Sequence, residues 1–364
     1  MKDSFINLLP GVGLSSLIAC IGIFSNEYIG TEIMGFDKSP ISSIMLAIII
    51  GLMIGNIMNL PKAFSSGIDF SIKKILRFGI ICLGIRLGLG DIINLGITAL
   101  PIILICLISA ILIVIYLSNK INVSTKMAAL VAVGTSICGA SAIVATAPAI
   151  NANKEEVTYA IANITLFGII AMFAYPYLAY YLFQNDSYAV GLFIGTSIHE
   201  TAQVAGAGLI YAEQFNSPLT LDIAAVTKLV RNTSMMVIIP LIAYIYQKNL
   251  SVSEDKKDIS ILSMFPLFIL GFIGMGILRT LGDITLQSYG HSFGILSSKD
   301  WLSLISNIKF IAEISLTIAM ASLGLSTNLR SITSMGIKPF YFNASSKAFT
   351  FASNSQALLT QDLD

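Results

Sequence analysis

Long apolar runs separated by short polar breaks dominate the chain, and most of the runs are of membrane length. About 20 predominantly apolar residues cross a bilayer as a helix. By that measure the pattern predicts ten spans: Leu8–Phe24, Ile41–Leu60, Ile75–Leu89, Leu100–Leu117, Met127–Ile150, Tyr159–Phe183, Tyr188–Tyr211, Ala224–Tyr246, Ile261–Leu281 and Leu304–Leu325. The third is short and carries Arg86, and clusters of Gly, Ser and Thr interrupt the fifth and seventh. The expected architecture is an all-α polytopic membrane helix bundle of about ten spans.

Composition agrees with this reading. Hydrophobic residues make up 55% of the chain and charged residues 11%, with a mean hydropathy of +0.83, whereas soluble domains carry about 25% charged residues. Cys20, Cys82, Cys106 and Cys138 lie in apolar segments without metal-ligand spacing, so they read as small core residues and no metal site is expected. Neither a phosphate loop, a dinucleotide fingerprint nor a basic nucleic-acid patch is visible, so no cofactor and no nucleic-acid partner are expected. The lipid bilayer is the partner that the pattern requires. The first run lacks a convincing small-residue cleavage site and is expected to be the first span rather than a signal peptide.

The position of the charges orients the bundle. Of the 21 Lys and Arg residues, Arg86, Lys228, Arg231 and Lys309 fall within spans. Among the rest, only Lys38, Lys154, Arg279 and Lys299 lie opposite the side that holds the N-terminus, the even-numbered loops and the tail. The positive-inside rule therefore predicts that both termini are cytoplasmic.

Candidate chemistry concentrates in three stretches. Gly195-Thr-Ser-Ile-His-Glu-Thr-Ala-Gln-Val-Ala-Gly-Ala-Gly208 sets His199 beside Glu200, an acid at membrane depth, within a glycine-flanked polar patch. An isolated charge at the bilayer centre costs roughly 2.5–3.5 kcal/mol on insertion scales. The glycines predict an interrupted helix whose free backbone groups meet a ligand. Gly134-Thr-Ser-Ile-Cys-Gly-Ala-Ser-Ala142 packs two glycines and three hydroxyls into the middle of the fifth span and predicts a second break, with a half-helix starting after Gly139. Lys228-Leu-Val-Arg-Asn232 puts Lys228, Arg231 and Asn232 on one helical face, where two cations call for an anion between or beside them.

Thr135, Ser136, Gly139, Ser141, Thr196, Ser197, Gln203, Lys228, Arg231 and Asn232 are thus the candidate substrate-binding residues, with His199 and Glu200 as candidates for proton coupling. Gln203 shares a face with His199 if the helix persists between them. Arg86 is a weaker member that pairs with Glu200 or reaches the membrane surface. Glu313 is spaced to pair with Lys309, four residues earlier. A zinc-protease reading fails, because His199-Glu200 is not followed by a second histidine three residues later. Each stretch also has a plainer reading, as a small-residue packing face between helices or, for the cations, as surface anchors.

Gly134-Thr-Ser-Ile137 recurs as Gly195-Thr-Ser-Ile198, and Leu87-Gly-Leu89 is echoed by Leu323-Gly-Leu325. Seven crossings separate the second pair, so its members run in opposite directions, as an inverted repeat requires.

Taken together, the two Gly-Thr-Ser-Ile stretches and the Lys-Leu-Val-Arg-Asn segment resemble the YeiH-type family, whose members carry the provisional label of sulfate exporters. The resemblance runs from about Ile44 to Lys338. It implies a secondary transporter of the bacterial inner membrane, built from inverted repeats with broken, crossing helices. The chain departs from the pattern after Gly336-Ile-Lys-Pro339, where such proteins have one more apolar span. Residues 1–339 therefore read as the transmembrane transporter domain and residues 340–364 as an atypical polar tail, for which disorder is expected.

The expected function is secondary active transport of a small anion of the sulfate, sulfite or organosulfonate class, coupled to protons by His199 and Glu200. The alternative is a proton-coupled monovalent cation antiporter with Glu200 as the ion-binding acid. An enzyme is not expected, since neither a metal triad nor a nucleophile–base pair is visible. Besides the anionic substrate and the bilayer, a second copy of the chain is the partner allowed for.

Overall fold

A computed structural model describes residues 7–28, 32, 42–58, 60–121, 124–184, 186–250 and 266–328. The expectations for the Gly336–Pro339 turn and the 340–364 tail lie outside the described residues, as do several of the loop charges that orient the bundle. Among the described residues every regular element is helical. The helices are α1 (Leu9–Glu27), α2 (Ser43–Ile57), α3 (Lys62–Phe70), α4 (Leu76–Leu83), α5 (Leu89–Ile121), α6 (Thr125–Ser136), α7 (Ala140–Thr146), α8 (Lys154–Phe183), α9 (Ser187–Ser197), α10 (Thr201–Gln214), α11 (Pro218–Thr233), α12 (Met235–Leu250), α13 (Phe268–Tyr289) and α14 (Ser298–Ser326).

Polar residues just ahead of the apolar runs set several starts. Ser42, Ser124, Asn153, Asp186 and Ser297 each accept a hydrogen bond from a main-chain N–H of the first turn, satisfying donors that a helix otherwise leaves bare. At Asn153 the bond is reciprocal, because Glu156 reaches back to the Asn153 N–H. Asn151–Glu156, which falls between the expected fifth and sixth spans, therefore already contains the first turn of α8.

Among the described residues, six helical segments are long and apolar enough to cross a membrane by themselves: Leu9–Asn26, Leu89–Ser118, Lys154–Phe183, Pro218–Ile242, Phe268–Tyr289 and Ser298–Ser326. α2 is a shorter apolar helix. The expected third, fifth and seventh spans are not single straight helices. The third begins earlier than its apolar run, since α3 passes through a π-turn (Ser71–Ile75) into α4 and ends in a 3-10 turn, Gly84–Arg86. Lys62–Lys74, counted as loop from its charges, is thus helical. It exposes Lys73 and Asp69 one turn apart, 3.6 Å from each other.

By contacts the chain divides into two compact units. The first comprises residues 1–95, 208–222 and 267–330. Its core is a cluster of Ile18, Ala47, Ile68, Ala321 and Leu325, built where α1, α2, α3 and α14 pack. α2 and α14 approach backbone to backbone: a Cβ on Gly51 would lie 2.5 Å from the Ala321 carbonyl oxygen. Elsewhere in this unit, the fully buried Trp301 donates from Nε1 to Asp283 Oδ1 at 2.8 Å.

The second unit comprises residues 96–207, 223–266 and 331–364. Val114, Leu130, Val131, Ile143, Ile150 and Ile164 form one of its apolar clusters, and Val133, Ile137, Ala142, Met235 and Ile239 form another. Both clusters grip the two pieces of the fifth apolar run, α6 and α7, which meet at a break.

Gly51→Leu is expected to force α2 and α14 apart at an overpacking cost of roughly 1–3 kcal/mol. It should lower the melting temperature of detergent-purified protein, whereas Met53→Leu at an exposed position of α2 should leave it unchanged.

Candidate functional site

Two helix breaks and one helical face make up the candidate site in the second unit. α6 ends at Ser136, and the chain turns through Ile137, Cys138 and Gly139 before α7. Gly139 has φ +72 and ψ −126, a conformation that a side chain resists, and a Cβ there would also lie 2.6 Å from Glu200 Cγ. α9 ends at Ser197, the chain extends through Ile198 and His199, and Glu200 caps the start of α10, its carbonyl accepting from Val204 N–H. The repeated Gly-Thr-Ser-Ile tetrapeptide therefore does the same work twice. In each copy it closes a half-helix and leaves main-chain carbonyls without helical partners.

Lys228 and Arg231 of α11 receive those carbonyls. Arg231 donates from Nε to Ser136 O at 2.7 Å, and from Nη1 to Thr196 O at 2.6 Å and Ile198 O at 3.2 Å. Its Nη2 donates to Thr135 O and stands 3.5 Å from His199 Nδ1. Lys228 Nζ donates to Ile137 O at 2.9 Å, to Ile198 O at 3.2 Å and to His199 O. A guanidinium has five N–H groups and an ammonium three, so both side chains are fully engaged. Both are also buried, Lys228 at 0% exposure and Arg231 at 3%.

Asn232, on the same face, donates from Nδ2 to Thr201 Oγ1 at 3.1 Å. The spacing thus put the three polar groups on one face as expected, but the cations are separated by main-chain oxygens of the helix ends. Each half-helix C-terminus carries about half a negative charge and so favours a cation beside it, as does Glu200 when ionised.

A second polar cluster adjoins Glu200. Thr165 of α8 donates from Oγ1 to Glu200 Oε1 at 3.1 Å, and its carbonyl accepts from Gln203 Nε2 at 3.1 Å. Gly168, one turn further along α8, leaves the space that the Gln203 carboxamide fills. Gln203 Oε1, Asn232 Oδ1, Thr135 Oγ1 and Thr227 Oγ1 are buried without a hydrogen-bond partner among the described residues.

Several expectations need correction. Gln203 does not continue a helical face from His199, because the chain is extended between α9 and α10. The hydroxyls of Ser136 and Thr196 turn back onto their own helices, to Ala132 O at 2.5 Å and Leu192 O at 2.7 Å, so these residues serve through their carbonyls. Ser197 is buried at the end of α9, while Ser141 is exposed on α7, outside the cluster.

Arg86 does not pair with Glu200. In the first unit it lies 2.6 Å from Asp222 Oδ1 and 3.2 Å from Glu313 Oε1. Its Nε–H is not aimed at the Asp222 oxygen, so the shorter contact is one of charge more than of hydrogen bonding. Glu313 consequently turns to Arg86 and not to Lys309.

Sequence reasoning missed Thr165 and Asp222. Thr165 is a hydroxyl inside the long apolar sixth run, two residues after a buried Asn163, and that polar pair was its only signal. Asp222 lies just ahead of the apolar run starting at Ala224, where it read as loop. α11 starts at Pro218 and draws it into the helix.

A family model described as conserved hypothetical protein 698 matches residues 12–343 of the chain. A UPF0324 membrane protein of Fusobacterium nucleatum is 34% identical over 300 residues, covering 81% of this chain and 84% of the relative. A UPF0324 membrane protein of Streptococcus agalactiae serotype V is 30% identical over 340 residues, 93% of each chain. One from Bacillus cereus is 32% identical over 341 residues, 93% of this chain and 88% of its own. No solved structure matches the chain.

The two acids around Arg86 should respond differently to neutralisation. Asp222, with 8% of its side chain exposed, leaves a buried guanidinium with only the half-exposed Glu313 when changed to Asn, at a cost of about 3 kcal/mol. Glu313 is 50% exposed, and Glu313→Gln should cost under roughly 1 kcal/mol. Melting temperatures of the two variants check the order. Arg231→Lys, which has no planar fork with which to span both helix ends, should melt well below the wild type despite keeping the charge.

Proposed function

The chain belongs to the conserved hypothetical protein 698 family of UPF0324 membrane proteins, a YeiH-type family, and from its two broken helices we propose that it is a secondary active transporter. Its substrate in this reading is a small anion of the sulfate, sulfite or organosulfonate class, carried across the bacterial inner membrane without chemical conversion. Ten membrane segments with both termini cytoplasmic fit the helices if α3–α4, α6–α7, α9–α10 and α11–α12 each make one crossing. Leu87-Gly-Leu89 and Leu323-Gly-Leu325, seven crossings apart in this count, would run in opposite directions, as an inverted repeat requires.

The observation that carries the proposal is the meeting of two half-helix C-termini at Lys228 and Arg231, with Glu200 at the start of the next half-helix. Irregular backbone at membrane depth is tolerated where it lines a binding site, and discontinuous helices of this kind hold substrate and coupling ion near the midplane of secondary transporters.

Charge balance supplies the coupling. Glu200 is the titratable negative charge beside the two cations, and the partial charges of the half-helix ends are fixed. Protonation of Glu200 raises the local charge by one in a low-dielectric setting, and an anion offsets that increase. The Lys228 and Arg231 N–H groups are engaged by carbonyls, so the anion takes their long-range attraction and finds hydrogen bonds elsewhere. The hydroxyls of Thr135 and Thr227 are buried donors without a partner among the described residues.

A monovalent cation antiporter is the second reading. It is favoured by the acceptor oxygens Gln203 Oε1 and Asn232 Oδ1, which have no donor among the described residues, and by the carboxylate of Glu200 beside them.

Reconstituted protein in proteoliposomes separates the two. Labelled sulfate, sulfite and taurine are offered under an imposed pH gradient, with Na⁺ and K⁺ fluxes followed in parallel. Anion flux driven by the gradient, and no longer responsive to it in Glu200→Gln, is the expected outcome. Cation flux that persists without any of the anions and is lost in Glu200→Gln would replace the anion reading with the antiporter.

A further inference from the structure

In secondary transporters with broken helices, half-helix C-termini and unwound carbonyls form the place where a coupling cation such as Na⁺ is coordinated. Here that place is filled by the protein. Lys228 Nζ is ringed by Ile137 O at 2.9 Å, Ile198 O at 3.2 Å and His199 O. The first comes from the break between α6 and α7, and the other two from the break between α9 and α10. The ammonium is fully buried, and none of its N–H groups is left over for a substrate.

We propose that Lys228 is a tethered cation occupying a coupling-cation site, so that the chain works without Na⁺ or K⁺, and that removing its ammonium opens a site for a free monovalent cation. The proposal rests on reading the two breaks as the transport site. It takes that reading further by fixing which ion is not used.

The charges around the ammonium give the direction of the effect. Facing it are Arg231, three residues on along α11, the ends of α6 and α9, and Glu200 at the start of α10. His199 lies in the break, and Cys138, in the other break, borders the Met235 sulfur at 3.2 Å. Without Lys228, the site loses the positive charge that faces the Glu200 carboxylate and the C-terminal ends of α6 and α9. The three carbonyl oxygens then lack a donor, which a buried main-chain group does not tolerate. A monovalent cation satisfies both deficits. A neutral donor such as water satisfies the carbonyls but not the charge, and an anion satisfies neither.

The experiment is a thermal-shift titration of the detergent-purified full chain in NaCl, KCl and NH₄Cl, with choline chloride holding the ionic strength constant. Choline is too large for the carbonyl ring. Wild type is expected to melt at the same temperature in all four salts. Lys228→Ala and the volume-matched Lys228→Met are expected to melt lower in choline. In at least one of them, Na⁺, K⁺ or NH₄⁺ should recover roughly 4 °C or more in a saturable way. Saturable stabilisation of the wild type by Na⁺ or K⁺ overturns the proposal, because the site would then be open. So does a folded Lys228→Ala and Lys228→Met pair indifferent to every cation, and so does failure of both to fold in any of the salts. The transport reading fails on a different observation, absence of any anion flux in proteoliposomes, and the salt titration is readable whether or not flux is seen.

Discussion

A main-chain carbonyl released by a helix break in an apolar interior must find a donor there, because water is not at hand to supply one. This chain breaks two helices at the same tetrapeptide and so creates that demand twice. Lys228 and Arg231 meet it together. One guanidinium bridges the ends of α6 and α9, and one ammonium bridges the turns that follow. Removing either cation leaves the oxygens uncompensated, and removing the breaks leaves two buried cations uncompensated. The breaks and the cations are therefore one device, and neither is stable without the other.

The same need is met differently at Arg86. There the buried guanidinium is balanced by carboxylates, Asp222 and Glu313, and not by helix ends. Ion pairs of this kind neutralise a fixed charge and leave little for a ligand to do. At Lys228 and Arg231 the negative partner is partly a helix dipole, which cannot be protonated, and partly Glu200, which can. A single proton on Glu200 thus raises the local charge by one, and the proposed coupling of binding to protonation rests on that contrast. Thr165 matters in this setting because one residue on α8 ties down Glu200 through its side-chain hydroxyl and Gln203 through its main-chain carbonyl.

Much of this is legible in the residues. Apolar runs of membrane length predict helices because each turn of helix satisfies its own backbone, a local property that hydropathy records. Two Gly-Thr-Ser-Ile copies announce breaks, since Gly139 occupies a backbone conformation that other residues resist and the hydroxyls turn back on their own carbonyls. The i, i+3, i+4 spacing of Lys228, Arg231 and Asn232 places them on one face. Helix starts are less legible: Ser297 and Pro218 begin α14 and α11 several residues before their apolar runs, which is how Asp222 was read as loop.

By itself, then, the sequence determined the class of protein, the membrane helices, the two interruptions and the buried cationic face, all of which follow from spacing along a few turns of chain. Only the tertiary structure decided what each charge meets. Arg86 finds Asp222 and Glu313, separated from it by more than a hundred residues, and not Glu200. Glu313 finds Arg86 and not Lys309 one turn away. Lys228 and Arg231 find carbonyls where an anion was expected. A buried charge takes the nearest partners that desolvate with it, and those are chosen by how distant helices pack, which no local spacing records.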